Sequence, residues 1–425
     1  MKALVKKTGS IILSSVILMG MSGCSEAGEA IEKEIEEVNK ISSVEAARID
    51  KPDCGEWERF QNDFYAKHQD FYMNTMASFL AEGKNTIYSP VNVYIALGML
   101  TRCVEGESQE ELLKLLGDDS VDAVKENIKF LFEYLSVDEG RYITTLANSI
   151  WLNSNVEFKE EILEELGEDY YSSSFVGEMG TEALNEMFRD WLNDNTNNLL
   201  KNQVSNLELS EDIIMAIVST IYYKVEWAEQ FTEGLTCEEV FYGEEEVSCD
   251  FMHNSLSLML YTGENFEAVA LPTLNGEVWY FLPNEGVSPE EVLNSKEMYD
   301  LIAGNTDGIE AQFAMVNCSI PKFDLESQID LVSKLRDLGI NSIFDNADFS
   351  PITDEGLYVS DIIHGARLIT DEEGVEAAAF TEILTKNACI EVGEILDFKC
   401  DRPFVTVVSE YNVPIFTGVV INPED

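Results

Sequence analysis

The 425-residue chain carries 80 acidic and 27 basic side chains, which give it a formal net charge of −53 at pH 7. Binding to nucleic-acid phosphates requires clusters of Lys and Arg, so this charge balance excludes nucleic acid as an expected partner. Hydrophobic residues make up 45% of the chain and charged residues 25%, which is typical of a globular protein with a substantial core. A strongly acidic surface favours solubility and encounters with basic proteins, although an acidic proteome or a saline environment explains the charge as well.

The first 23 residues have the pattern of an export signal. Lys2, Lys6 and Lys7 form a charged start, and the apolar stretch 11–21 is too short to span a bilayer comfortably. Small residues directly before Cys24 resemble the bacterial lipoprotein signal, in which the Cys thiol takes a diacylglycerol and becomes the new N-terminus. We therefore expect a chain that is exported and lipid-anchored to the membrane of the bacterial cell envelope, with simple secretion as the alternative.

Residues 24–55 are predicted to form an acidic tether, followed by one globular domain over residues 56–425. The stretch 25–50 has no aromatic residue, and Ile31, Ile35, Val38 and Ile41 occur at helical spacing. A helix this short is marginal in water when isolated, so the tether is expected to be at most partly helical.

The motifs of common enzyme and metal sites are missing. Besides Cys24 there are seven cysteines, of which Cys237 and Cys249 are close enough in sequence for a hairpin disulfide, and an odd number leaves one thiol unpaired within the chain. The only histidines are His68, His253 and His364, and no pair has helical metal-binding spacing. There is no Gly-x-Ser-x-Gly elbow and no phosphate-binding loop. The sequence therefore predicts no enzymatic activity, no cofactor and no metal.

The segment 375–386 alternates with a period of two. One set of positions holds only uncharged residues, and the intervening set, from Glu376 to Lys386, holds every charge; the uncharged set is Val375, Ala377, Ala379, Thr381, Ile383 and Thr385. Alternate residues of a strand point to opposite faces, so the pattern permits a half-buried strand. Ala, Glu and Leu also favour a short helix, which stays an equal alternative. Gly374 supplies a pivot, because a residue without Cβ adopts either sign of φ.

With these residues the chain resembles the serpins, a family of suicide inhibitors of serine and cysteine proteases. Besides the segment at 372–381, matching stretches follow in family order over roughly residues 60–425. They are 85–92 (NTIYSPVN) with Ala96 and Leu97, 146–151 (LANSIW), 190–196 (DWLNDNT), 217–227 (IVSTIYYKVEW) through Phe231, 320–323 (IPKF), 335–340 (LRDLGI), 401–404 (DRPF) and 418–423 (GVVINP). Each stretch is short, and it is their order and spacing together that carry the resemblance.

The resemblance implies a mixed α+β fold with three β-sheets, about eight to nine helices and an exposed reactive-centre loop. It also implies a monomer whose partner is a target serine protease, or a cysteine protease. The protease attacks one bond of the loop and forms an acyl-enzyme. The cut loop then inserts as a new strand into the main sheet before the ester is hydrolysed. The alternative is a non-inhibitory serpin-fold protein, for binding or storage, that proteases cleave as a substrate.

The resemblance also assigns roles to individual residues. The hinge of the loop comprises Glu372, Gly374, Val375, Glu376, Ala377, Ala378, Ala379, Phe380 and Thr381. Trp227 and Lys322 lie where the loop enters the sheet, with Lys322 as the salt-bridge partner of Glu372. Ser89, Ser219 and His364 match the region beneath the centre of the sheet, where strands must part. The chain departs from the family at Phe380, where a small residue is usual, and at Ser219, where Asn is usual.

The scissile bond has three candidate positions. The family's usual distance from Gly374 gives Ala388-Cys389, which suits an elastase-like or subtilisin-like protease with a small apolar pocket. Counting back from Pro403 instead gives a position near Val392. Lys386 is the third candidate and would suit a trypsin-like protease. The sequence thus predicts an extracytoplasmic inhibitor, most simply of elastase-like or subtilisin-like enzymes.

Overall fold

The structure is a computed structural model that describes residues 41–49, 54–80, 83–345, 347–359, 362–375, 395–410 and 412–424. Side chains are described for all of these residues except 54–63 and 363. The predicted export signal, Cys24 and most of the predicted tether lie outside this range.

Eleven α-helices occur in the described part of the chain. They are α1 (Cys54–Leu80), α2 (Pro90–Cys103), α3 (Glu107–Leu116), α4 (Val121–Leu135), α5 (Glu160–Asp169), α6 (Glu182–Asn195), α7 (Lys201–Val204), α8 (Pro289–Leu293), α9 (Lys296–Ile302), α10 (Val332–Asp337) and α11 (Ser342–Asp345). Three of them have only four or five residues, so eight longer helices compare with the eight to nine expected. None of the described helices is both long and apolar enough to cross a membrane.

The strands number seventeen over the same residues. They are β1 (Ser42–Val44), β2 (Thr86–Tyr88), β3 (Val137–Asp138), β4 (Tyr142–Asn153), β5 (Ser172–Gly177), β6 (Met215–Glu226), β7 (Cys237–Tyr242), β8 (Glu246–Thr262), β9 (Phe266–Thr273), β10 (Gly276–Pro283), β11 (Glu310–Pro321), β12 (Phe323–Asp330), β13 (Ile363–Thr370), β14 (Gly374–Val375), β15 (Ile395–Lys399), β16 (Phe404–Glu410) and β17 (Val413–Val420).

These strands form two hydrogen-bonded networks. The first has eight strands in the order β1-β5-β4-β6-β14-β13-β12, with β3 added beside β4. The second has nine strands in the order β15-β11-β8-β9-β10-β16-β17-β2, with β7 added beside β8. The long strand β8 pairs with β11 over most of its length and with β9 only at its last two residues, so it joins two layers into one network where three separate sheets were expected. The predicted mixed α+β architecture is confirmed.

The main core lies between the two networks and the surrounding helices. Every residue of β16 and β17 is buried, and most are Val, Ile or Phe. Strands covered on both faces read as continuous apolar runs, and each fully buried Val or Phe stabilises the fold by about 1.5–3 kcal/mol. The helix α2 begins at the Ser-Pro pair, because Ser89 Oγ accepts a hydrogen bond from the Asn92 amide and Pro90 occupies the first turn.

A second, smaller cluster fixes α6 across one face of the eight-stranded sheet. Leu184, Phe188 and Leu192 of α6 are buried with Trp151 of β4. The Trp151 ring stacks on Phe175 of β5 with 4.1 Å between centroids. The apolar residues of α6 occur at spacings of four, which places them on one side of the helix. The helix α6 thus covers one face of the sheet over β4 and β6.

Part of the predicted tether is a strand of the domain. Ser42–Val44 pair antiparallel with β5 at the edge of the eight-stranded sheet, and the Ala47 amide donates a hydrogen bond to the Gly167 carbonyl. Ile41 packs against the cluster beneath α6. The helical spacing that includes Ile41 therefore does not extend into a helix here, because pairing with an exposed strand edge satisfies the backbone instead.

The hairpin disulfide left open by the sequence is absent among the described cysteines. Cys237 pairs across the β7–β8 ladder with Phe251, and Cys249 pairs with Glu239, so the two thiols are offset by two positions. Both are free, as are the buried Cys103, Cys318 and Cys400.

One buried acid, Glu410, connects the two networks. Its Oε1 accepts hydrogen bonds from Thr144 Oγ1 of β4 at 3.1 Å and from Asn275 Nδ2 at 2.8 Å. Its Oε2 has no hydrogen-bond partner among the described residues. Burial raises the pKa of Glu410 to about 8, and the two hydrogen bonds only partly offset this effect.

We expect Glu410→Gln to flatten the pH dependence of stability. The folded protein holds the Glu410 proton up to a pKa of about 8, whereas the unfolded chain releases it near 4.5. The associated stability is therefore fully present below the unfolded pKa and is lost as pH rises through the folded pKa. Between about pH 5 and pH 8 the wild type should lose on the order of 2–4 kcal/mol that the variant keeps. Urea unfolding at both pH values measures this difference, and equal slopes for the two proteins would contradict it.

Candidate functional site

The centre of the eight-stranded sheet holds a strand of only two residues. Gly374 of β14 pairs with Glu226 of β6, and Val375 pairs with Val225 of β6 on one side and Thr370 of β13 on the other. Among the described residues, no other backbone pairing joins β6 to β13. Over the described part of the chain, the sheet is therefore parted along most of the facing edges of these two strands.

A cavity of about 440 Å³ follows this parting. Its walls come from β6 and β13, from the start of α2 and from the short helix α7; they include Ser89, Ser219, His364, Gly365 and Val375. Val375 is only 2% exposed and belongs to the main core, as the strand alternation requires for a residue of the uncharged set. Val375, the one member of the uncharged set among the described residues, thus faces the core.

The turn between β13 and β14 is closed by Asp371. Its Oδ1 accepts hydrogen bonds from the amides of Glu373 at 2.9 Å and Gly374 at 3.2 Å, while its own amide donates to the Gly374 carbonyl. An Asp side chain that binds its own backbone two residues ahead is a common turn device. Sequence reasoning missed Asp371, although an Asp shortly before a Gly is the local signal for such a turn.

Gly374 is required by close approach rather than by an unusual φ. Its φ is not among the positive values of the described residues. A Cβ at this position would overlap the carbonyl oxygen of Val225 on the neighbouring strand. Gly374 was expected to act as a pivot because of its conformational freedom. In this structure it is instead required because only a residue without Cβ fits against the Val225 carbonyl.

The carboxylate of Glu372 anchors the base of the segment. Its Oε2 lies 2.7 Å from Lys322 Nζ, and its Oε1 accepts a hydrogen bond of 2.7 Å from Thr236 Oγ1. Burial alone would raise the pKa of Glu372, but the hydrogen bonds from Lys322 and Thr236 outweigh it and lower that pKa. The pairing with Lys322 was implied by the sequence, whereas Thr236 has no local signal because it lies 136 residues earlier.

Trp227 lies at the end of the parting where β14 begins. The ring is buried, and its Nε1 donates a hydrogen bond of 2.8 Å to the Asp371 carbonyl. The Trp227 amide donates to the Glu373 carbonyl, and the Phe231 amide donates to the Glu372 carbonyl. The turn before β14 is therefore fixed by backbone and side-chain hydrogen bonds from the segment that follows β6.

Ser89, Ser219 and His364 all line the cavity of the parting. His364 Nε2 accepts a hydrogen bond of 3.0 Å from the Ser89 amide, which joins β13 to the start of α2. Burial lowers the pKa of His364 to about 4, so the imidazole is neutral at physiological pH and acts as an acceptor. Ser219 Oγ is buried without a hydrogen-bond partner among the described residues. The link in this region therefore runs through His364 and Ser89, and Ser219 contributes a small side chain to the cavity wall.

Several residues with predicted roles lie outside the described residues. They are the rest of the hinge (Glu376, Ala377, Ala378, Ala379, Phe380 and Thr381) and the candidate cleavage positions Lys386, Ala388, Cys389 and Val392. The structure places the other predicted residues in two groups. Trp227, Lys322 and Glu372 lie around the turn that precedes β14, and Ser89, Ser219 and His364 line the cavity.

Comparison with protein families gives one match over most of the chain. Residues 66–423 match the family described as Serpin (serine protease inhibitor). An uncharacterized serpin-like protein of Thermococcus kodakarensis is 28% identical over 354 residues, which cover 80% of this chain and 81% of that protein. Human neuroserpin is 26% identical over 369 residues, which cover 81% of this chain and 87% of neuroserpin.

Solved structures show the same fold. The native state of tengpin, a thermophilic serpin, superposes with a TM-score of 0.74 at 22% identity, covering 89% of this chain and 97% of tengpin. Thyroxine-binding globulin in complex with thyroxine gives a TM-score of 0.70 at 22% identity, covering 85% of this chain and 98% of that chain.

We expect acid to destabilise this protein in part through His364. The folded pKa of about 4 lies below the ordinary value of 6.5, so the contribution of neutral His364 is fully present above pH 6.5. It is lost as pH falls from there towards 4, by up to about 3 kcal/mol. His364→Gln keeps a hydrogen-bond acceptor for Ser89 but does not titrate, so its stability should fall less over this range. Thermal unfolding of both proteins between about pH 7 and pH 4 measures this, and parallel curves would contradict it.

Proposed function

Because this chain belongs to the serpin family, we propose that it is a suicide inhibitor of serine proteases that acts outside the cytoplasm. Serpins are generally protease inhibitors rather than enzymes, although some members are not inhibitors. The proposed reaction is cleavage of the segment 376–394 followed by its insertion into the eight-stranded sheet.

The observation that carries this proposal is the position of β14. Gly374–Val375 already pair with β6 and β13, and beyond Val375 the described parts of these two strands do not pair with each other. Residues that continue β14 would lie between two edges that each present backbone donors and acceptors. Each hydrogen bond formed on insertion contributes about 1 kcal/mol, and it is this unmade pairing that would drive the reaction.

The alternation of the segment fits this insertion. Val375 faces the core, so Ala377, Ala379 and Thr381 would follow it onto the buried face with period two. Small and uncharged side chains are the ones that enter a packed interior without an unpaired charge. The charged residues of the segment, from Glu376 to Lys386, would stay on the opposite face.

The chemistry of the proposed trap is ordinary acyl transfer interrupted halfway. The protease serine oxygen attacks the carbonyl carbon of the cleaved bond, the peptide nitrogen leaves with a proton, and an ester joins the two proteins. Insertion then carries the ester-linked protease away from the entrance before water reaches the ester. Trp227, Lys322 and Glu372 are proposed to hold the entrance, while Ser89, Ser219 and His364 are proposed to govern how the strands part.

The target and the location are further parts of the proposal. Cleavage after Ala388 would suit elastase-like or subtilisin-like proteases, whereas Lys386 would suit a trypsin-like protease and a bond near Val392 remains a third position. Lipidation of Cys24 would place the inhibitor on the cell envelope, where it meets exogenous proteases. The observation that supports this is the sequence pattern of residues 1–24.

A non-inhibitory role has one specific argument in its favour. Phe380 is a bulky residue in the hinge, and a bulky outward residue slows insertion. Thyroxine-binding globulin shares the fold and is known in complex with thyroxine. In this second candidate function the segment 376–394 would be cut cleanly, without a trapped protease.

The first test mixes the protein lacking residues 1–24 with elastase-like, subtilisin-like and trypsin-like proteases. We expect a protein–protease band that survives boiling in detergent, a cut identified by mass spectrometry, and a large rise in melting temperature after cleavage. The melting temperature should rise because the inserted segment adds a strand to the eight-stranded sheet. Clean cleavage without a covalent band and without thermal stabilisation would instead establish the non-inhibitory alternative.

The second test uses the alternation as its own control. Ala377→Arg would place an unpaired guanidinium on the buried face, at a cost of several kcal/mol, whereas Ala378→Arg places it on the opposite face. The fraction of protease trapped should therefore fall at least tenfold in Ala377→Arg and change little in Ala378→Arg. Both variants should still be cut. Gel densitometry gives the ratio of trapped to cut protein, and equal ratios for the two variants would contradict insertion in this register.

A further inference from the structure

Three side chains outside the parted sheet converge on one point at the β7–β8 hairpin. Cys237 Sγ lies 3.5 Å from His253 Nε2 and 3.6 Å from Glu239 Oε1. His253 Nε2 lies 2.9 Å from the same Glu239 oxygen. The three donor atoms thus form a compact triangle, and Cys237 is exposed to solvent. From this geometry we propose that Cys237, Glu239 and His253 bind a zinc ion.

The donor set and its dimensions suit Zn²⁺. Thiolate sulfur, imidazole nitrogen and carboxylate oxygen are the three ligand types of zinc, at about 2.0–2.3 Å from the metal. In a tetrahedral site these bond lengths place neighbouring donor atoms about 3.3–3.6 Å apart. The two sulfur distances already have this value. The contact between His253 and Glu239 has to open by a few tenths of an ångström, as their hydrogen bond is replaced by bonds to the metal.

The groups behind the triangle orient two of its members. Ser319 Oγ lies 3.0 Å from His253 Nδ1, so its hydroxyl oxygen is placed to accept a hydrogen bond from Nδ1 once the metal replaces the proton on Nε2. Lys399 Nζ lies 2.5 Å from Glu239 Oε2, which leaves Oε1 directed at the other two donors. Lys399 itself lies over the Phe251 ring. A ligating imidazole and carboxylate held by such partners is the usual surrounding of a protein zinc site.

Three protein ligands leave the fourth position of the zinc ion to water. The exposure of Cys237 gives the ion a path from solvent, and binding releases the thiol proton to the buffer. The sequence analysis predicted no metal, because these three ligands come from two strands and lack the close spacing of zinc-ribbon or helical motifs. Adjacent strands β7 and β8 bring them together.

The site lies between the attachments of both ends of the segment 376–394. Thr236, next to Cys237, donates to Glu372 before the segment, and Lys399, on the strand after it, contacts Glu239. A bound zinc ion would therefore link β7 to β8 next to the contacts that Glu372 and Lys399 make. An ion that binds only the folded state stabilises it by mass action, so zinc should raise the melting temperature.

The test titrates the metal-free protein, from residue 25, with Zn²⁺ in competition with a chromogenic zinc chelator under reducing conditions. We expect one ion per chain with a dissociation constant below about 1 μM, which corresponds to a binding free energy of about 8 kcal/mol or more, together with a rise in melting temperature. Cys237→Ser and His253→Gln should each weaken binding at least tenfold. Ser319→Ala, which touches no metal, should weaken it about 10–100-fold through the orientation of His253.

Matched controls separate this site from other thiols. Cys389→Ser removes a cysteine outside the cluster and should leave affinity unchanged. Melting of each variant in chelator shows that it folds. Absence of zinc binding up to about 100 μM, or binding that Cys237→Ser and His253→Gln leave intact, would overturn the proposal. The measurement is independent of protease trapping, so it stands or falls apart from the inhibitory function.

Discussion

Among the described residues, the facing edges of β6 and β13 find backbone partners only at Gly374 and Val375, and the contacts around β14 depend on this constraint. A buried backbone donor or acceptor without a partner is costly, so a parted sheet is a state of high free energy within an otherwise well-packed protein. Gly374 and Val375 of β14 occupy the end of the parting nearest Trp227. The residues around β14 hold it in place between β6 and β13.

Around β14, the contacts of Trp227, Lys322 and Glu372 fix the path of the chain more than they add to the stability of the fold. The ion pair of Lys322 with Glu372 is partly exposed and is worth little on its own, but the same carboxylate also binds Thr236. Trp227 contributes a buried ring and a hydrogen bond to the chain just before β14. Further along the cavity, the Ser89 amide at the start of α2 donates a hydrogen bond to His364 of β13, and the neutral imidazole avoids a buried charge.

Glu372 and Lys399, which flank the segment 376–394 on its two sides, contact the same hairpin. Glu372 contacts Thr236 at the start of β7, and Lys399 contacts Glu239 in β7. The triangle of Cys237, Glu239 and His253 therefore occupies a place where a ligand acts on strands that flank both ends. The acidic surface of the chain makes a cation the natural ligand for such a position, since the field of the whole protein attracts it.

Features that depend on neighbours in the chain could be predicted from the sequence, such as the start of α2 at Ser89-Pro90 and the buried side of Val375 once it lies in a strand. The mixed α+β fold and the pairing of Lys322 with Glu372, which are distant in the chain, were implied by the family resemblance of the ordered motifs.

Other contacts became apparent in the folded chain alone. They are the pairing of Ser42–Val44 with the sheet, the fit of Gly374 against the Val225 carbonyl, the bond of Thr236 to Glu372, and the approach of Cys237 to His253. These contacts are made across sheet edges and between strands, where register and packing set the partner, and spacing along the chain carries no record of either.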